Sequence, residues 1–390
     1  MKENKLINPI RGWLYSFFNE GVQVFVNSKT ANTPACIYRL VALFSITFIL
    51  STFAADSREP ILGVRDSAKI ARIIAVEDPL AVSAFDTRPE RVLSMVNRGI
   101  TTLVNTDLVS NAWLKLVSVK DTIGIKVNSA PGATTGTRPA VVRGVILGLL
   151  SSGIAGNQII IWDRSWKDLK EAGMVALGQS MGVVVESADR AGYDAKVFYE
   201  SPIMGQLIHG DLEFGQKGEG IGKKSYVTRL LTQRITKIIN ITPLLNHNQL
   251  GVSGCMHTLA FGAVDNTLRF QLSTSQLCVS IPEIYALPQI ADRVALHIVD
   301  ALISQYQGES TSLLHYSMAT SELWFSTDPV ALDYLAFKEL ARQRQISKTP
   351  SPKYEHYLFQ NAAIMELGVA EERLIRVERA YPVGYKEQAK

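Results

Sequence analysis

His247 and His257 are the residues of this chain best suited to moving a proton near neutral pH, because imidazole ordinarily titrates there. They stand ten positions apart in Asn246-His-Asn-Gln-Leu-Gly-Val-Ser-Gly-Cys-Met-His257, a stretch whose glycines read as a loop. The same imidazoles are candidate metal ligands, or plain hydrogen-bonding loop residues, since spacing within a loop fixes no geometry. A second set suits an anionic ligand. Lys126 and Asn128 end an apolar run, and the loop after them brings Thr137 and Arg138 to a helix opened by Pro139. A helix N-terminus with cations beside it favours negative charge; the plainer reading is that Thr137 only caps the helix. Asp163 ends another apolar run, where it faces the same crevice or pairs with Arg164. Asp300 follows His297-Ile-Val, and Asp328 lies in Phe325-Ser-Thr-Asp-Pro-Val-Ala-Leu-Asp333. Each of these two also reads as a helix cap, Asp300 for a short helix from Ala301 and Asp328 for one from Pro329. Asp333, inside that last helix, reads as a further carboxylate or a salt-bridge partner.

The elements that must position these residues alternate. Helices are expected over 89–104, with Val92, Met95, Val96 and Ile100 on one face, over 139–152, and over 329–345 and 354–367. Strands are expected at 122–127, 158–162, 183–186, 237–241, 295–299 and 374–377. The strand–helix–strand run from 122 to 162 implies a parallel pair with a right-handed crossover. Residues 205–224, rich in glycine and charge, read as an exposed loop or hairpin insert. The fold class is α/β, a mostly parallel sheet flanked by helices, in one domain or two lobes. Such sheets bind ligands beyond the carboxyl ends of their strands, where Lys126, Asn128 and Asp163 would lie.

Composition narrows the partners. The formal charge is +4 over 390 residues, 47% of them hydrophobic. Residues 1–55 hold five basic residues against two acidic ones, a net +3, which leaves +1 for everything after them. A nearly neutral body without a basic cluster carries no footprint for nucleic acid. No charge interrupts Leu40 to Ala55. That run is short for a membrane span and fits the core of a signal peptide, with Thr52 and Ala54 as small residues before a cleavage site. Residues 1–55 are therefore expected to be an extension and signal peptide, and 56–390 a single exported α/β domain. The alternatives are an uncleaved membrane anchor through 40–55 or a buried helix. Export would leave Cys255 and Cys278, which could pair in an oxidising compartment. There is no Cys-x-x-Cys for zinc or an iron–sulfur cluster. Gly218-Glu-Gly-Ile-Gly-Lys-Lys224 is not a phosphate loop, because three residues rather than four separate Gly218 from Gly222, and Lys224 rather than Ser or Thr follows Lys223. No cofactor is thereby indicated, and the metal question stays open.

Taken together, several stretches between about 110 and 380 resemble the bacterial and archaeal family known as domain of unknown function 362. They are Asp121-Thr-Ile-Gly-Ile-Lys-Val-Asn128 with Asn111-Ala-Trp-Leu-Lys before it, Thr137-Arg-Pro139, Asn246-His247 through Gly262, His297-Ile-Val-Asp-Ala301, and Ser326-Thr-Asp-Pro-Val-Ala-Leu-Asp333. The last is the most specific. The resemblance implies an α/β fold and a shared crevice without an established reaction. Lysines usual in the family's His-containing loop are replaced here at Leu245 or Asn246 and at His257, with Thr258 in place of Asn. The cysteine segment that many relatives append is absent. Two functions compete: an exported enzyme acting on a small anionic or metal-linked substrate, with His247 and His257 transferring protons or holding a metal, and a non-catalytic ligand-binding or scaffold protein.

Overall fold

The computed structural model describes residues 70–201, 222–350, 353–354 and 357–382, all within one compact unit, Ser67–Lys390. Eight strands form one sheet in the order β12-β1-β11-β10-β9-β4-β5-β6. They are β1 (Ala71–Glu77), β4 (Ile123–Val127), β5 (Ile159–Asp163), β6 (Val184–Ser187), β9 (Lys237–Leu245), β10 (Val294–Gln305), β11 (Ser317–Ser326) and β12 (Ile375–Ala380). Only β11 runs against the other seven, pairing antiparallel with both β1 and β10. Two small hairpins stand apart, β2 (Val82–Ser83) with β3 (Asp86–Thr87) and β7 (Tyr193–Glu200) with β8 (Lys224–Thr228).

The strands are apolar on both faces, as a sheet covered on both sides requires. Ile123, Ile125 and Val127 of β4 pack with Val141, Val145 and Leu149 of the Pro139–Ser151 helix and Met95 and Ile100 of the Pro89–Leu103 helix. The alternate residues of the sheet, such as Ile160, Trp162, Ile238 and Trp324, face a second layer built from the Cys255–Ala263, Thr274–Tyr285, Pro329–Ile346 and Tyr357–Ile364 helices. Each fully buried Ile, Leu or Phe contributes about 1.5–3 kcal/mol, so the two cores fix the register: a one-residue slip would turn every strand inside out. Proline opens three of the covering helices, at 89, 139 and 329, where its missing N–H costs nothing.

The parallel β4–β5 pair and the helices beginning at 89, 139 and 329 match the expectation from sequence. Other expectations are corrected. Asp300 does not open a helix at Ala301: β10 continues through it to Gln305, with a register irregularity between Ala301 and Ile303. His257 lies on a helix, not in a loop. Cys255 and Cys278 are both buried and are not joined in a disulfide. Strands β1 and β11 were not anticipated. Residues 1–55 and most of 205–224 lie outside the described residues; no described helix is long and apolar enough to cross a membrane.

The order of the strands creates the place where a site belongs. From β4 the chain winds outward to β5 and β6, then returns to the other side of β4 to lay down β9 and β10. The winding reverses between β4 and β9, and a crevice opens beyond the carboxyl ends of strands at such a point.

Candidate functional site

A cleft of 400 Å³ occupies that position. Lys126 and Asn128 reach it from the end of β4, Asp163 and Arg164 from the end of β5, and Leu245 to His247 from the end of β9. His257 and Gly262 reach it from the Cys255–Ala263 helix, and Glu309 from the loop after β10. Five residues chosen from sequence thus converge: Lys126, Asn128, Asp163, His247 and His257.

Lys126 is almost wholly buried and is held from two sides. Its ammonium donates to Asp163 Oδ1 at 2.8 Å and to the Val127 carbonyl at 2.7 Å, which leaves one of its three N–H bonds. Asp163 is fully occupied. Its Oδ1 also accepts from the Arg164 amide, and its Oδ2 accepts from the Ser129 amide and hydroxyl, all between 2.6 and 2.8 Å. The carboxylate therefore orients the lysine and offers nothing to a ligand. A Cβ on Gly262 would stand 2.2 Å from Lys126 Cε, so the helix approaches the lysine this closely only because residue 262 has no side chain.

The two imidazoles meet edge to face, with ring centroids 4.9 Å apart, and His257 makes a second ring contact with Phe261 at 4.9 Å. The Gln249 and Leu250 amides donate to His247 Nδ1 at 3.2 and 3.3 Å. That assigns the His247 proton to Nε2. His257 Nδ1 lies 3.3 Å from the Ser253 hydroxyl, which can donate or accept. Burial lowers the pKa of His247, against the opposing charge of Glu309. Burial pushes His257 well below the usual imidazole range, helped by the charges of His247 and Lys126. Both rings are neutral near pH 7 when the cleft holds no countercharge. Among the described residues, no three His, Cys, Asp or Glu side chains converge so as to hold a metal ion.

Four residues chosen from sequence stand apart from the cleft. Thr137 does not cap its helix. Its hydroxyl donates to the Ile241 carbonyl and accepts from the Asn128 amide, tying the loop across β4 and β9. Arg138 and Asp300 form a closed pair: the Arg138 amide and Nη1 donate to the carboxylate at 2.9 Å, and Nη2 donates to the carbonyls of Thr134 and Ile303. Asp328 caps its own helix through the Ala331 amide and accepts from the Val369 amide as well.

Asp333 has a role that sequence reasoning missed. Buried inside the Pro329–Ile346 helix, it accepts from the Cys255 and Met256 amides and so caps the helix that carries His257. A Cβ on Gly254 would lie 2.1 Å from its carboxylate, which makes that glycine a steric requirement. Burial raises Asp333 to about 7, outweighing the amide hydrogen bonds that favour its ionised form. Beneath the same helix lies a polar row across neighbouring strands, Lys126, Asn240, His297 and Ser326 in register. Asn240 donates to the Cys255 carbonyl and to His297 Nδ1, and the Tyr285 hydroxyl sits 2.9 Å from His297 Nε2. Burial depresses His297 to about 3, so this third histidine is a neutral core residue. Ser253, Asp168 and Glu309 also line the cleft and went unrecognised.

No curated protein matches this chain. It is similar to a structural genomics crystal structure of a Thermotoga maritima protein, at 11% identity and a TM-score of 0.37. That likeness covers 69% of this chain and 61% of the other, so the chain spans less than two thirds of that protein. The family model described as "Domain of unknown function (DUF362)" matches residues 123–338, more than half of the 390, from the start of β4 into the Pro329–Ile346 helix. The chain belongs to the domain of unknown function 362 family.

Proposed function

We propose that the cleft at the β4–β9 reversal binds a small oxygen-rich anion, such as a carboxylate or a phosphate, and that Lys126 is its anchor. The observation that supports this reading is the convergence of Lys126, Asn128, His247 and His257 from separate elements on one cleft of 400 Å³. Lys126 supplies an N–H not used by Asp163 or Val127, and His247 supplies Nε2–H. A charge-assisted hydrogen bond in a partly dehydrated cleft is worth about 1.5–3 kcal/mol. The low pKa of His257 makes it a poor base in the empty cleft, so binding is favoured over turnover and no reaction is assigned. As part of the same proposal, the protein acts outside the cytoplasm, on the evidence of the uncharged run 40–55 behind a basic segment.

A thermal-shift screen of small carboxylates, phosphates and neutral polyols tests the ligand class. At least one anion should raise the Tm of the native protein, and Lys126→Met should abolish that rise while remaining folded. If only neutral polyols stabilise the protein, or if the rise survives in Lys126→Met, the anion reading fails. N-terminal sequencing of protein recovered from cell fractions tests export; an intact N-terminus in the cytoplasmic fraction overturns it.

A further inference from the structure

The charged side chains lining the cleft do not favour an anion as they stand. Two are cationic, Lys126 and Arg164, and three are carboxylates, Asp163, Asp168 and Glu309. With both imidazoles neutral the lining carries a net −1, and an anion entering a poorly hydrated site of that sign is repelled. One added proton would bring the lining to zero and a second would make it cationic.

The hydrogen bonds say which ring can take that proton. His247 Nδ1 already receives two backbone amides, and a proton there would set N–H against N–H; the Glu309 carboxylate, 3.7 Å from the same nitrogen, acts in the opposite sense but does not outweigh burial. His257 has no such obstacle. Its Nδ1 faces only the Ser253 hydroxyl, which turns from donor to acceptor by rotating one bond. His257 also shares the cleft with Lys126, and the lysine's charge is one of the causes that keep the ring neutral. An anion bound by both groups would cancel that repulsion.

We propose that an anionic ligand enters this cleft together with a proton, and that His257 is the residue that takes it. The inference rests on the anion reading above and deepens it: the anion is stabilised by Lys126 and by a newly formed imidazolium. The titratable groups around the ring are Lys126, Asp163 and Arg164 from the strand ends, Asp168 from the short Trp166–Glu171 helix after β5, His247 before the helix, and Glu309 after β10. Beneath its helix lie Asp333, Cys255 and Tyr285. The Lys126 charge acts on His257, so binding of an anion at Lys126 is felt directly.

Sulfate is the probe, because its own charge stays fixed from pH 8 to pH 5.5. For the full chain, sulfate affinity measured by calorimetry should strengthen as pH falls, approaching about tenfold per pH unit for one linked proton. Repeating the titration in two buffers of different ionisation enthalpy should show uptake of one proton per sulfate. His257→Asn should still bind sulfate weakly, with the pH slope and the proton uptake lost, whereas His247→Gln should keep both. In the native protein, histidine ring resonances should show the His257 pKa rising when sulfate is added, a readout that requires no variant. Binding that is independent of pH, or a slope that persists in His257→Asn, overturns the proton coupling and leaves the anion cleft standing. Absence of sulfate binding at every pH overturns both.

Discussion

Two buried ion pairs flank the loop between β4 and the Pro139–Ser151 helix, and they do opposite work. Arg138–Asp300 is closed. Its side chains are 4% and 0% exposed, and three of the guanidinium's five N–H groups go to Asp300, Thr134 and Ile303. Lys126–Asp163 is open on one side. The lysine is as buried, at 2%, but its carboxylate is 10% exposed and one ammonium N–H has no hydrogen-bond acceptor among the described residues. Charge and burial alone do not separate a structural pair from a ligand-binding one. The side from which water can enter does: the cleft is lined by Lys126 and Asp163 and by neither Arg138 nor Asp300.

Removing a partner from the closed pair should therefore produce the largest effect. Asp300→Ala leaves Arg138 charged, buried and short of its carboxylate, and breaking such a pair typically costs about 3–5 kcal/mol. Denaturant titration should show a loss of that size with unchanged relative affinity among anions. A loss below about 1 kcal/mol would mean that water reaches Arg138, and the contrast between the pairs would collapse.

Asp333 extends the comparison to a buried carboxylate with no cation in contact among the described residues, held by the Cys255 and Met256 amides and the Cys255 thiol. Its folded pKa, raised to about 7, lies above the ordinary value for aspartate of about 3.9. Between those values the native state binds more protons than the unfolded state, so this group's contribution to stability falls as pH rises from about 4 to about 7. Relative to Asp333→Asn, which cannot ionise, the native protein should lose about 2–4 kcal/mol across that window. His297, depressed to about 3, has the opposite sign, with its contribution lost as pH falls from about 6.5. Only the difference between native protein and variant isolates Asp333; a flat difference would show that the amide bonds prevail over burial.

Lys126→Met tests the open pair. Asp163 keeps the Ser129 amide, the Ser129 hydroxyl and the Arg164 amide, and the cleft admits water on one side. The expected stability loss is about 2 kcal/mol, smaller than for Asp300→Ala, while anion-induced stabilisation disappears. The reverse order of the two losses would exchange the roles assigned to the pairs.

What the sequence reveals follows from the range of the interactions involved. The buried parallel strands are legible because apolar runs such as Ile159-Ile-Ile-Trp162 need no distant partner to be recognised, and the Asp328-Pro329 start is legible because cap and helix are adjacent. The Cys255–Ala263 helix was read as loop. Gly251, Gly254 and Gly262 are loop-forming by composition, and the cap that secures the helix is Asp333, 78 residues away. The second half of β10 was hidden for a related reason. Asp300 followed by Ala-Leu-Ile resembles a helix start, but its carboxylate is claimed by Arg138, 162 residues away. The cleft residues Lys126 and Asp163 were found because they end strands, and strand ends are local; His247 was found by its imidazole. Glu309 and Ser253 were not, because only the folded chain brings their loops to the same opening.

Gly262→Ala is the smallest change and separates stability from binding most cleanly. The new Cβ would lie 2.2 Å from Lys126 Cε and 2.8 Å from Nζ but 3.6 Å from Asp163 Oδ1. The overlap therefore falls on the far end of the lysine and spares its partner. A lysine terminus can shift within a cleft that has space on one side, and the helix gains an alanine in place of glycine, which favours helix by about 1 kcal/mol. Against an overpacking cost of about 1–3 kcal/mol, the net loss of stability should be about 1 kcal/mol, less than for Lys126→Met. The displaced ammonium can no longer keep its bonds to Asp163 and Val127 and also direct its third N–H into the cleft. Anion-induced stabilisation should fall nearly as far as in Lys126→Met despite the smaller structural cost. If Gly262→Ala binds anions as the native protein does, the remaining donor of Lys126 is not what an anion meets, and the open pair is as structural as the closed one.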